Sequence, residues 1–173
     1  LLAERMAAKR RQKDGGSRAD AERAALGAMF NVWRTDADLR CYDLRLDRSE
    51  RRFGSVWGAD PVASNFGSVG FARICTPESW LSTWSGLSSL ASFERCGGAI
   101  TQPTFLLEYT GDNSVFPTDA DGIYASIAAS DRQRTRVRGN HHGQPLKAGE
   151  PLGQDLAAAQ IVAWLRARFP AAG

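Results

Sequence analysis

The stretch Thr104-Phe105-Leu106-Leu107-Glu108-Tyr109-Thr110-Gly111-Asp112 is an apolar run introduced by Pro103 and closed by a Gly-Asp turn. A short apolar run bounded by turn residues reads as a strand, here residues 104–110. Working outward, Pro117-Thr118-Asp119 opens a helix that carries Ile123, Tyr124 and Ile127 to about Ala129. Arg134-Thr135-Arg136-Val137-Arg138 is a second strand. A last helix, from about Gln154 to Phe169, gathers Leu156, Ile161, Trp164, Leu165 and Phe169 largely on one face, with Arg166 and Arg168 near its negative end. Strand, helix, strand, helix with short connections means parallel pairing with a right-handed crossover, an α/β arrangement.

Upstream the pattern changes. Residues 1–13 are strong helix formers that Gly15-Gly16 stop, and a second helix is expected from about Ala19 to Phe30. Residues 39–46 partly alternate, as a half-exposed strand does. Residues 47–70 read as a loop that holds Phe53, Trp57 and Phe66, side chains that call for burial. Thr76 caps a helix with Pro77 in its first position, and Trp80, Trp84 and Leu87 recur at helical spacing. The expected division is a helical and irregular cap-like region over 1–100 and an α/β portion over 101–173.

Composition narrows the class. The chain has 173 residues, 43% of them apolar, which suffices for a compact core, and no apolar run approaches a membrane span. The formal charge is +3, and residues 1–25, with seven basic and four acidic side chains, account for all of it. The remainder is balanced, which argues against a nucleic-acid binder. Cys41, Cys75 and Cys96 are odd in number and lack a Cys-x-x-Cys pair, so reduced thiols and a cytoplasmic setting are expected. Leu1 is not a methionine and no signal-peptide pattern follows it, which reads as a processed chain or a fragment.

The chemistry concentrates at the strand ends. Asp112 follows the first strand and His141-His142, the chain's two histidines, follow the second. Reactive groups of open parallel sheets gather at the carboxyl ends of strands, so neighbouring strands would bring acid and imidazole together. An acid orients the ring and stabilises the imidazolium formed when histidine takes a proton from a nucleophile. Metal binding by this trio lacks support, because adjacent side chains on an extended segment point apart. RNA binding through Arg132, Arg134, Arg136 and Arg138 lacks stacking aromatics, and these arginines read as solvating an edge strand.

Pro103 to Pro117 resembles the seventh strand and acid turn of the α/β hydrolases: an apolar strand, Gly111-Asp112, two variable residues, Val115, then Pro117. Gly139-Asn140-His141-His142-Gly143 is similar to that family's histidine loop, which a terminal helix follows. The resemblance covers residues 103–170 and implies Asp112 as the acid and His142 as the histidine, with His141 the runner-up. It also implies a fold, the C-terminal part of an α/β-hydrolase sheet preceded by a cap-like region whose Trp57, Trp80 and Trp84 would wall a substrate site. The family's nucleophile sits in Gly-x-Ser-x-Gly on a strand-to-helix turn, and residues 1–173 hold no such motif in that context.

The expectation is therefore the C-terminal half of a serine hydrolase acting on a carboxylic ester or related acyl compound. An N-terminal portion or second subunit would supply the serine, with no cofactor, metal, nucleic acid or membrane partner implied. The alternative is a non-catalytic subunit or binding module that keeps the hydrolase architecture.

Overall fold

A computed structural model describes residues 4, 7, 8, 11, 14–20, 29–32, 37–67, 74–86, 88, 89 and 91–170. The chain divides into two compact units, Leu1–Thr35 with Asn65–Ser92, and Asp36–Ser64 with Phe93–Gly173. The unit around the parallel strands thus recruits polypeptide from well before residue 100. Its architecture is mixed α/β.

In the first unit, β1 (Phe30–Asn31) pairs antiparallel with β2 (Ile74–Cys75). Of the two expected N-terminal helices, Glu4, Ala7, Ala8, Arg11 and Arg18 to Asp20 are helical, 14–17 between them are not, the other residues up to 28 lie outside the described set, and Phe30 is in β1. The Thr76 cap holds: its hydroxyl accepts the Ser79 N–H at 3.2 Å, and the Ser79 hydroxyl accepts the Thr76 N–H at 3.1 Å. The helix it starts is short. α2 (Pro77–Ser79) passes directly into a π-helical turn over Trp80–Trp84, and Trp80 meets Phe30 edge-on at 5.9 Å. Leu87 lies outside the described residues.

The second unit is built on β3 (Thr104–Gly111) and β4 (Arg132–Asn140), which pair in parallel from Thr104↔Arg132 to Tyr109↔Val137. A bulge follows, after which Gly111 lies opposite Asn140, so β4 spends one residue more than β3 in the last turn of the ladder. α3 (Phe93–Cys96) precedes β3 and α4 (Pro117–Ser126) connects the strands, and the Asp119 carboxylate accepts the orphan Phe116 N–H at the start of α4, 3.0 Å away. α5 (Gly153–Arg168) packs back on the pair: Trp164 stacks on Phe105 with centroids 5.7 Å apart, and Arg168 grips Asp131. Gly153 lets the helix start against β4, since a Cβ there would lie 2.6 Å from the Arg138 carbonyl. The other flank of α5, Ile161, Val162 and Leu165 with Phe169 just beyond, is exposed.

Among the described residues β4 is an edge strand on which Arg132 and Arg136 are exposed, as the sequence reading has it, and the structure adds carboxylate partners. Arg134 and Arg136 converge on the half-buried Glu108 of β3 at 2.7 and 3.0 Å, and Arg138 binds Glu150 and Glu50. Three of the four arginines on the strand find a carboxylate, and Arg132 donates instead to the carbonyls of Tyr124 and Ile127.

The expected strand over 39–46 is absent. The segment is a 3-10 turn, Leu39–Cys41, followed by further turns. Two causes are visible. Asp38 and Asp43 accept the N–H groups two residues on, at 2.8 and 3.0 Å, which bends the backbone locally. The Arg51 guanidinium then takes the carbonyls of Arg40, Asp43, Leu46 and Asp47, the acceptors a sheet ladder would need. Arg51 is only 4% exposed.

Beneath it lies Phe116, 1% exposed, with Arg51 on its ring at 5.1 Å and Arg40 at 4.0 Å. Arg40 continues to Asp38, Asp47 and Asp119, and Asp47 accepts from Thr118, so the whole 38–51 segment is fastened to the start of α4. The rest of the 47–70 excursion holds α1 (Pro61–Phe66), whose first N–H groups Asp60 caps. Phe53, Trp57 and Phe66 are exposed rather than buried.

Two outcomes follow. Arg51→Leu takes from four carbonyls their shared donor and should cost about 3 kcal/mol, read as a lowered denaturation midpoint, with Arg51→Lys failing to restore it because a point charge cannot span the fork. Burial pushes the Glu108 carboxyl up, but Arg134 and Arg136 outweigh it and hold it below the ordinary range. Its stabilisation is therefore full above the ordinary glutamate pKa and is lost as pH falls through the lower folded value. Glu108→Gln should flatten the acid limb of a melting-temperature profile; an unchanged limb would refute this.

Candidate active site

Parallel register builds the site. Because Gly111 lies opposite Asn140, the next residue of each strand, Asp112 and His141, emerges side by side at the carboxyl end of the sheet. His141 Nδ1 lies 2.9 Å from Asp112 Oδ1. The sequence ranked His142 ahead of His141, and the structure brings together Asp112 and His141 instead. His141 is the residue that directly follows the β4 position paired with Gly111, whereas His142 lies one place further into the turn, so the register hands the acid to His141.

The acid is held from behind. Asp112 Oδ1 also accepts the N–H groups of Ser114 at 2.7 Å and Val115 at 3.0 Å, an Asx turn that fixes the carboxylate before the imidazole arrives. An ionised carboxylate only accepts, so Nδ1 of His141 must carry the proton, which leaves Nε2 as the acceptor in the neutral ring. Asp112 is mostly covered and His141 about one third exposed, the order expected of an orienting acid beneath a working base.

The histidine loop is equally determined. Asn140 Oδ1 accepts the N–H groups of His142 and Gln144, both at 2.9 Å, and Gly143 closes the turn at φ +70°. The first residues of α5 clamp it: Gln154 Nε2 donates to the His142 carbonyl at 2.8 Å and the Gln154 N–H to the Gly143 carbonyl at 3.1 Å. The exposed His142 ring meets that of His141 edge-on at 5.0 Å.

Beside the pair is a cavity of about 260 Å³. One side is the strand ends, with Asn113, Asn140, His141 and His142; the other is the 52–59 segment, with Arg52, Phe53, Val56 and Ala59, and Leu146 completes it. That segment is tied to the acid turn by the Asn113 amide donating to the Gly54 carbonyl at 2.8 Å and by the Glu50 N–H donating to the Thr110 carbonyl at 3.0 Å. Trp57 lies in the turn between two lining residues, Val56 and Gly58. Trp80 and Trp84 belong to the other unit.

No nucleophile of this chain engages His141 among the described residues. Ser55 lines the cavity, but its hydroxyl donates to Ser64 Oγ at 3.0 Å, which in turn donates to the Gly58 carbonyl. Cys41 Sγ donates to the Asn113 carbonyl at 3.3 Å, and burial, aided by Asp38, pushes its thiol pKa up, away from the thiolate a nucleophile requires. No group of three metal-ligating side chains occurs among the described residues.

Asn140 could have been read as a turn-former from its place before His-His-Gly. Arg52 and Phe53 carried no such signal, because only contacts across about sixty or ninety residues put them here. No family model matches the chain, and no curated protein or solved structure matches it. The hydrolase resemblance therefore rests on the residues themselves.

The assigned tautomer is testable. In Asp112→Asn the fixed Nδ1–H form of His141 should give way to a tautomer mixture, seen in nitrogen-15 spectra of the imidazole, while His142 is unaffected; an unaltered His141 would exclude the pairing.

Proposed function

We propose that this chain carries the acid and base of a serine hydrolase that cleaves a carboxylic ester through an acyl-enzyme, with Asp112 as acid and His141 as base. The observation that carries this reading is the 2.9 Å Asp112–His141 contact at the ends of two parallel strands. The order of strand, acid, helix, strand, histidine and terminal helix adds the family resemblance.

In this mechanism, His141 Nε2 takes the serine proton as the serine oxygen attacks the ester carbonyl, and Asp112 stabilises the imidazolium. The imidazolium gives that proton to the departing alcohol oxygen as the carbon–oxygen bond breaks. Water, deprotonated by the same nitrogen, then releases the acid and regenerates the serine.

The serine comes from polypeptide outside residues 1–173, either an N-terminal hydrolase portion or a second subunit. Three observations favour this. The serine that lines the cavity, Ser55, is already engaged. Among the described residues β3 pairs with β4 alone, whereas parallel sheets are ordinarily several strands wide and covered on both faces. The apolar flank of α5 at Ile161, Val162, Leu165 and Phe169 is uncovered. Among the described residues no helix is long and apolar enough to cross a membrane, and the substrate is taken as a small acyl compound.

Intact mass and N-terminal sequencing of the purified protein identify any accompanying chain, and a fluorophosphonate probe should label it. In the labelled assembly, His141→Ala should lower kcat by about 10⁴-fold or more while His142→Ala costs about tenfold at most. Labelling of neither chain would sink the hydrolase reading, and function that survives loss of both Asp112 and His141 would favour a binding module.

A further inference from the structure

The cavity beside His141 has an unbalanced charge. No aspartate or glutamate lines it, yet Arg52 does. Arg40, Arg45, Arg134, Arg136, Arg138 and Arg168 each hold a carboxylate, and Arg132, which does not line the cavity, donates to the carbonyls of Tyr124 and Ile127. Arg51, which holds four carbonyls and the Ser49 hydroxyl, is buried among them. Arg52 has a different arrangement. Its Nη2 donates to the carbonyl of Leu146, another lining residue, which restrains the guanidinium without neutralising it.

We propose that Arg52 is a specificity-determining residue that receives a carboxylate on the substrate. This rests on the hydrolase reading of the same site. A guanidinium presents five donors in a planar fork, and one tethered to a carbonyl still offers paired N–H groups matched to a carboxylate. Side-chain entropy, the usual cost of recruiting a surface arginine, is reduced because the tether already restrains it.

The rest of the lining sets the remainder of the substrate. Phe53, Val56, Ala59 and Leu146 are apolar, so they fit a methylene chain between the anion and the reacting carbonyl. The space, about 260 Å³, corresponds to roughly nine waters and so to a short chain. The substrate class is a half-ester of a short dicarboxylic acid: one carboxylate against Arg52, the ester carbonyl beside His141.

The test needs no turnover. 5-Oxohexanoate, a non-hydrolysable stand-in with a carboxylate and a carbonyl, is compared with its uncharged amide, 5-oxohexanamide, by titration against the protein as purified. The two histidines give two resolvable imidazole signals, and that of His141 is the reporter. Binding of the carboxylate about tenfold tighter than the amide is expected for an exposed charge-assisted pair, with the preference lost in Arg52→Gln and partly kept in Arg52→Lys.

Equal affinity of the two compounds, or a preference that survives Arg52→Gln, overturns the proposal. An unperturbed His141 signal in each unliganded variant shows that the loop is intact, so a folding defect is separated from lost recognition. Failure of fluorophosphonate labelling would remove the hydrolase reading and leave this comparison standing as evidence for a carboxylate-binding site.

Discussion

Everything at the candidate site depends on one constraint, the parallel register that sets Gly111 beside Asn140. In an antiparallel pair, the end of one strand faces the start of the next, and Asp112 and His141 would lie at opposite ends of the sheet. Parallel pairing sends both chains out at the same edge. The bulge in β4 then decides which residues meet, because without its extra residue the ladder would set Gly111 opposite Gly139 and the histidines would be displaced by one place, turning His141 to the other face. A single irregularity in hydrogen bonding therefore selects the base.

The second determinant is the way a loop without regular structure becomes a rigid wall. Segment 38–51 has no ladder to satisfy its carbonyls, and burying them would be prohibitive without donors. Arg51 supplies the donors from a single side chain and places its own cation on Phe116, whose neighbour Pro117 begins α4. The same aromatic ring carries Arg40, so two guanidinium groups and one ring link the loop to the acid turn. Immediately beyond this anchor the chain runs into Arg52 and Phe53, and so the cavity wall inherits its position from Arg51. A buried arginine here is a scaffold, and its exposed neighbour is free for recognition.

The C-terminal strands and helices were legible in the sequence because each carried its own local signal: apolar periodicity for β3, Thr-and-Asp start signals after Pro117, a two-faced pattern for α5. Asp112 was legible for the same reason, as the polar end of an apolar strand. The choice between His141 and His142 was not, since it turns on a bulge that leaves no compositional trace. Residues 39–46 misled because apolar and polar letters alternate there, while the deciding contacts come from Arg51, whose partners are set by tertiary geometry. The alternation of the β4 arginines is visible in the sequence, but Glu108, Glu50 and Glu150 become their partners only through folding.

The unit's energetics bear on the proposed need for more polypeptide. A two-stranded parallel sheet is the least self-sufficient of β arrangements, since its slanted hydrogen bonds are weaker and its crossover must be closed at an entropic cost before pairing is gained. Here the deficit is offset by charge pairs across the strands and by the Trp164–Phe105 stack, both on one side of the question: they hold β3 to β4 and α5 to the pair. Neither satisfies the outer edge of β3, and neither covers Ile161, Val162 and Leu165. Trp164 adds a sharper sign, because its buried indole N–H finds no acceptor among the described residues. An unpaired strand edge, an apolar helix flank and an orphaned donor are three separate costs, of hydrogen bonding, hydration and desolvation. One additional strand-bearing segment packed beside β3 would relieve the first by pairing, and its own cover could relieve the others. That same addition is what the acid and base lack, so on the proposed reading the segment that completes the sheet and the segment that brings the serine are one polypeptide.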